Sequence, residues 1–394
     1  MRTLLCTLFV SGLMIGLAMS ILHVSGELLS ARDIAHRQVS EGGVYGTAIN
    51  KNTYRYKIAL VEAIRPQVAA FGSSRVMQFR ARYFTNSFVN LGGAGNSPYE
   101  LQAAVSDVLR ISPPEVAIVG VDFWWFNKRV GVETTFTDHA VSGDELNWDK
   151  LFEPYRLVRS GRLRPQHAKH VFLSPRTMLG LQAQVFGDGF GPDGSYYYTS
   201  LLGGKKPNQD KGFALMLSRI QREDSIFKKF GDFDEPALTA LLSGIGELKN
   251  AGVKVITFLP PLSPQTFRAL RERDKSFEYL ARLNSALTAA SDRHFDLTDA
   301  GVLASNDCEF VDGIHGGEVT YARIVAYMSN SYADLVLANA QEVMRALTRR
   351  IGYASVSNAS PDQFVEIDSL GLGCTRTLAP IRLHSTLNSR AGIA

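Results

Sequence analysis

The sequence predicts an α/β fold: a three-layer α/β/α sandwich on a central parallel sheet of about five strands, behind one N-terminal transmembrane helix. Three observations carry this. Short apolar runs around residues 67–71, 87–91, 115–121, 254–259 and 294–297 alternate with segments of helical spacing, the pattern of a doubly wound sheet. The first two runs close on small residues, Gly72-Ser73-Ser74 and Gly92-Gly93-Ala94-Gly95, as buried strands do at the edge where open α/β sheets bind ligands. From Leu4 to Val24 the chain is almost wholly apolar and uncharged, and about 20 such residues span a bilayer as a helix.

Composition bounds the rest. The 394 residues are 45% hydrophobic and 20% charged, normal for a large globular core. A net charge of +4 is too small to argue for nucleic acid. Cys6, Cys308 and Cys374 show no metal-ligand spacing, so neither metal nor cofactor is expected. Cys6 lies in the first apolar segment; Cys308 and Cys374 fit either a disulfide or two buried thiols.

Taken in order, residues 1–25 read as the membrane anchor. Ala18-Met19-Ser20 is a loose cleavage site, but the apolar run continues past it, which favours an uncleaved anchor over a signal peptide. Arg2 before a single span places the main domain outside the cytoplasm, periplasmic or at the cell surface. Residues 26–52 read as a polar stalk and residues 53–352 as the α/β domain. Ser97-Pro98 starts the helix after the second strand, with Pro98 suited to its first turn. Residues 128–233 read as a partly helical insertion on the ligand edge. Asp234-Glu235-Pro236 caps a helix that Gly252 ends, the fourth and fifth strands follow, and a long helical pattern runs over residues 318–349. Residues 353–394 read as an irregular tail.

The chemistry gathers at two places. Ser74 stands at the carboxyl end of the first strand, a candidate nucleophile at a turn whose backbone N–H groups can face an anion. A serine alcohol needs an activating base. Asp312-Gly313-Ile314-His315 can supply one, because a carboxylate three residues from an imidazole can fix its tautomer while the other ring nitrogen meets the serine. Other residues are open to two readings: Trp124 and Trp125 as sugar-stacking or core aromatics, Arg75 as partner of a core carboxylate or of an anionic substrate, and Arg156, Arg159, Arg162 and Arg164, with Lys169, as a solvated face or a contact for anionic polymer or lipid headgroups.

Gly72-Ser73-Ser74, Asn90-Leu91-Gly92-Gly93-Ala94-Gly95-Asn96 and Asp312-Gly313-Ile314-His315 together resemble the first, second and fifth sequence blocks of the SGNH/GDSL hydrolase superfamily, over roughly residues 60–125 and 235–345. The Gly-Ser-Ser form behind a single anchor is similar to extracytoplasmic acyl-transfer proteins of bacterial envelope polymers. The resemblance implies a flavodoxin-like sheet and a serine-dependent acyltransferase or esterase, acting on an envelope or secreted polysaccharide with a membrane acyl-donor protein as partner. It implies Ser74, His315 and Asp312 as the triad, and Ser74 and Gly95 as oxyanion donors. The third-block position, an asparagine in the family, is Asp122 here, and an ionised carboxylate facing an oxyanion is repulsive. Either Asp122 is protonated, or Asn96 or Asn127 takes its place, or the site is inactive and the chain is a glycan-binding or assembly subunit.

Overall fold

The structure, a computed structural model, describes residues 1–48, 53–131, 148–173, 177–273, 278–332, 338–349 and 367–374. Its first helix, Arg2–Ser25, is long and apolar enough to cross a membrane, with a mean hydropathy of 2.2 over an 18-residue stretch within Thr3–Ser25. Gly26 ends it in the left-handed conformation, where a residue without Cβ meets no penalty.

Residues 26–48 do not form the stalk expected from their polarity. Ser30 caps the helix Ala31–Glu41 by accepting from the Asp33 N–H, and Ile34, Ala35 and Gln38 are buried on one side against the helix Thr53–Ile64. Three inward residues suffice to dock an otherwise charged helix. Residues 49–52 lie outside the described part.

The strands follow in chain order. After β1 (Val44–Tyr45) come β2 (Val68–Gly72), β3 (Phe88–Gly92) and β4 (Val116–Gly120), the last three buried along their full length. The expected insertion then contributes β5 (Met178–Leu179), β6 (Gly189–Phe190) and β7 (Tyr196–Tyr197), and β8 (Lys254–Leu259) and β9 (Arg293–Asp296) close the series. Five strands form one wholly parallel sheet in the order β3-β2-β4-β8-β9. The short strands form a second sheet, β5-β1-β6-β7.

Alternate residues of the parallel strands enter different cores, as the two-residue period of a strand requires. Ala69, Phe71, Val89, Leu91, Ala117 and Val119 pack with residues of the helices Thr53–Ile64, Pro98–Ile111 and Glu235–Asn250. Val68, Ala70, Phe88, Val116, Ile118 and Ile256 pack with the helices Glu318–Ser331 and Ala340–Arg349. These two helices stand where a single long one was expected; the first ends at Ser331, with Tyr332 as its cap, and Ala338 bridges to Phe84 between them.

The order of the sheet positions the site. The strand order reverses between β2 and β4, with β3 added on one side of β2 and β4 on the other, the switch point at which α/β sheets open a crevice at their carboxyl ends. Part of the expected tail also belongs to the domain. Residues 367–374 dock through Ile367 N–H to Leu202 O (2.8 Å), Gly212 N–H to Leu370 O (2.7 Å), and a disulfide between Cys374 and Cys308. The remaining tail residues, 353–366 and 375–394, lie outside the described part.

Candidate active site

β2 delivers Ser74 through a tight turn. Gly72 has φ +146° and approaches β4 so closely that a Cβ there would lie 2.8 Å from the Gly120 carbonyl oxygen, so only glycine fits without displacement. The Ser73 hydroxyl accepts from the Arg75 N–H and caps a helical turn that begins at Ser74. The N–H at the first position of such a turn has no acceptor within the turn itself. Ser73 is buried and Ser74 half-buried.

Across the crevice, residues 312–315 form a turn fastened by its own carboxylate. Asp312 Oδ1 accepts from the N–H groups of Ile314 (2.9 Å) and His315 (2.8 Å), while Oδ2 meets His315 Nδ1 at 2.8 Å. The other ring nitrogen, Nε2, lies 2.9 Å from Ser74 Oγ. Ser74, His315 and Asp312 thus form a continuous hydrogen-bonded relay between residues 241 apart in the chain.

Burial opposes the His315 imidazolium, but the charge of Asp312 and its bond to Nδ1 outweigh burial and hold the histidine above its ordinary value of 6.5. Asp122 adds to that rise and Arg75 subtracts from it. Burial also opposes the Asp312 carboxylate; the His315 charge, its bond and the two backbone N–H groups reverse this and leave Asp312 below 3.8. The pair therefore favours carboxylate plus imidazolium, the state in which a proton has been taken from a serine.

Behind the serine lies a second charged pair. Arg75 and Asp122 are each 1% exposed, with Nη1 to Oδ1 at 3.1 Å. Every other branch of the guanidinium is also engaged: Nε donates to Ile314 O at 3.0 Å, and Nη2 to Pro260 O and Pro261 O at 2.7 and 2.8 Å. Trp124 lies against the guanidinium, its ring centroid 5.3 Å away. Burial raises the Asp122 pKa, while Arg75 and the neighbouring Ser73 hydroxyl oppose the rise. Among the described residues, no side chain or backbone group donates to Asp122 Oδ2 within hydrogen-bond geometry.

The remaining sequence candidates divide. Gly95 is buried at the start of the helix Pro98–Ile111, where a Cβ would crowd the Leu101 backbone at 3.2 Å. Asn96 is exposed and bonds to Gly93 O and the Glu100 carboxylate. Trp124 is half-buried. Two readings are corrected, Trp125 as a sugar-stacking residue and Asn127 as the residue that takes the place of Asp122. Trp125 is 1% exposed and belongs to the core, and Asn127 is buried, donating to Lys228 O and accepting from Arg129 N–H. Apolar packing claims the first and the closure of a loop the second. Arg75, 1% exposed and with all three guanidinium nitrogens engaged inward, is the partner of a core carboxylate and not a substrate contact.

Three residues of the site, Asp210, Asn208 and Tyr321, lie outside every motif quoted from the sequence, and the role of a fourth, Asn90 in the second block, is not read there. Asp210, from the insertion, accepts from Gly313 N–H (2.9 Å) and Met216 N–H (3.0 Å). Asn208 donates to Val311 O (2.9 Å), Tyr321 donates to Arg75 O, and buried Asn90 donates to Val76 O and Phe79 O just beyond the serine turn. Each is an ordinary polar residue until folding places it. No protein-family model matches this chain, and no curated protein sequence matches it.

Proposed function

We propose that the chain is an SGNH-like serine acyltransferase or esterase with a three-layer α/β/α core, held by its N-terminal helix with the domain outside the cytoplasm. The observation that carries this reading is the relay from Ser74 Oγ through His315 to Asp312, with contacts of 2.9 and 2.8 Å. Ser74 Oγ attacks an acyl ester carbonyl as His315 Nε2 takes its proton. Asp312 holds the Nδ1–H tautomer and balances the imidazolium. The imidazolium then protonates the departing alkoxide, leaving Ser74 acylated. A second alcohol or a water then gives a proton to His315 and attacks the acyl carbonyl, and His315 returns that proton to Ser74 Oγ as its bond to the acyl group breaks, releasing the ester or acid and restoring the serine. The entering group alone separates transfer from hydrolysis; the anchor and the Gly-Ser-Ser resemblance favour transfer to a sugar hydroxyl of an envelope or secreted polysaccharide, supplied by a membrane acyl-donor protein.

In this reading the oxyanion donors are the N–H groups of Ser74 and Gly95, and Asp122 is the counter-ion of Arg75. The same position favours one second reading, a glycan-binding or assembly subunit, because a carboxylate stands where the resembled family has an amide donor. A serine-directed fluorophosphonate decides between them. The full-length protein should be labelled and Ser74→Ala should not be. Absence of labelling in the wild type supports the binding subunit, and labelling that survives Ser74→Ala removes Ser74 as nucleophile.

A further inference from the structure

Beside the first helix, and outside the candidate active site, lies a basic cavity of about 710 Å³. Arg162, Arg164, His167, Lys205 and Lys206 line it, with Val185 and Phe186 as its apolar wall. Lys206 is paired with Asp188 at 2.9 Å; among the described residues no carboxylate lines the cavity itself. Such a cavity suits a phosphate-bearing anion.

Its position relative to the first helix selects the source of that anion. The cavity wall belongs to the short helix Leu181–Phe186, whose Leu181 N–H donates to Glu27 (2.8 Å), and the preceding Gly180 N–H donates to Ser25 O (2.6 Å) at the end of the first helix. Ile21 packs in the same cluster as Val185 and Phe186. A helix rising about 1.5 Å per residue needs about 20 residues to cross the hydrocarbon. Counted from Thr3, the bilayer surface is reached beside Ile21, at the level of the cavity.

A second observation agrees. The helices Trp148–Arg159 and Ala168–Leu173 pack on the first helix, and Tyr155 donates to Met14 O, about 10 Å deeper along the axis than Ile21. These helices expose Phe152, Val158, Phe172 and Leu173, the last 80% exposed. Apolar side chains beside a span, with Arg159 and an Arg156–Glu153 pair at 3.4 Å on the first of these helices, fit a helix lying about 5–10 Å deep in the headgroup boundary, with the Arg159 head reaching back to the surface. We infer that this region is an anionic-phospholipid site: the headgroup phosphate enters the basic cavity, and the acyl chains lie along the exposed apolar residues. The inference rests on the reading of the first helix as a membrane anchor.

The test uses the full-length protein in neutral detergent micelles, titrated with phosphatidylglycerol or phosphatidylcholine and read by native mass spectrometry. Phosphatidylglycerol should be retained at least about tenfold more strongly, and Arg162→Gln/Arg164→Gln/Lys205→Gln should lose that preference, with an unchanged melting temperature in the absence of lipid; three cations near an anionic surface account for a change of this size or larger. Phe172→Ser/Leu173→Ser should weaken retention of both lipids. Equal retention of the two lipids overturns the inference, as does displacement of phosphatidylglycerol by inorganic phosphate or by an acidic oligosaccharide, which would assign the cavity to a soluble anion or a glycan. Alkaline extraction of membranes tests the anchor by itself: release of the wild type overturns the anchor and the lipid site together, whereas retention with no lipid preference overturns only the lipid site.

Discussion

Arg75 Nε donates to the carbonyl of Ile314 at 3.0 Å, so the residue after the candidate nucleophile holds the residue before the candidate base. The same guanidinium holds Pro260 and Pro261 after β8 and Asp122 after β4. One buried cation therefore ties three loops at the carboxyl edge of the sheet to the serine turn. Its hydrogen bonds are charge-assisted and in low dielectric, where geometry is fixed most strongly.

Removing that cation should be costly in a way that reveals the pairing. Arg75→Met leaves the Asp122 carboxylate buried and uncompensated, a change of about 3–5 kcal/mol for pairs of this kind. Arg75→Met/Asp122→Leu removes both charges and should recover part of the loss. Urea unfolding of the two variants measures this; a double variant no more stable than Arg75→Met would mean that the pair contributes through the three carbonyls and not through Asp122.

The pH dependence follows from the triad. A general base acts when neutral, so fluorophosphonate labelling should fall as pH drops through the His315 pKa, which Asp312 holds above 6.5 despite burial. Asp312→Asn removes that support, so any residual labelling should shift its acidic limb downward, and the rate should fall by orders of magnitude through the wrong tautomer. Stability runs with opposite signs for the two groups. His315, raised in the fold, contributes fully below 6.5 and loses its contribution as pH rises through its folded value. Asp312, lowered in the fold, contributes above 3.8 and loses its contribution as pH falls through its folded value. The pair is thus most stabilising between those limits. An acidic limb at or below the ordinary imidazole value would remove Asp312 as the partner.

That Ser74, Asp312 and His315 meet was legible because a strand-end serine and an Asp-x-x-His turn after the last strand both fall at the carboxyl edge of a parallel sheet, and Gly72 marks a turn that only glycine allows. The strands were legible because burial on both faces demands continuous apolar runs. The helix Ala31–Glu41 was not: its inward face is only Ile34, Ala35 and Gln38, too narrow a stripe to stand out among charges. Trp125 and Asn127 misled because a strand-end aromatic or amide has the same identity whether it faces a ligand or the interior. Asp210 was invisible, since its partner Gly313 is 103 residues away and no local pattern records that contact.

The disulfide offers a separate test of the docked C-terminal segment. Cys308 and Cys374 close a 66-residue separation, which by loop-closure entropy restricts the unfolded chain by roughly 4 kcal/mol. Cys308→Ser/Cys374→Ser should lower stability by up to about that amount and expose the Ile367 and Gly212 amides, bonded to Leu202 O and Leu370 O, to faster hydrogen exchange. Unchanged exchange there would show that Leu370 packing holds the segment without the bridge.

Asp210 gives the most direct test of how the insertion serves the site. Its carboxylate joins Gly313, in the middle of the Asp312–His315 turn, to Met216 at the start of a helix in the insertion. Gly313 is pressed against this region: a Cβ there would lie 2.5 Å from Thr266 Oγ1 and 2.9 Å from Met216. The turn is therefore held from outside the parallel sheet, and Asp210 is a positioning residue. Asp210→Ala leaves two buried N–H groups without acceptors, each a loss of about 1–3 kcal/mol, and frees the turn to shift His315 away from Ser74. Asp210→Asn keeps an acceptor oxygen for one N–H and should recover part of both stability and labelling rate. The pH midpoint of labelling distinguishes positioning from chemistry: it should stay with the His315–Asp312 pair in both variants while the maximal rate falls. A midpoint that moves with Asp210→Asn would instead place the Asp210 charge in the titration of the base.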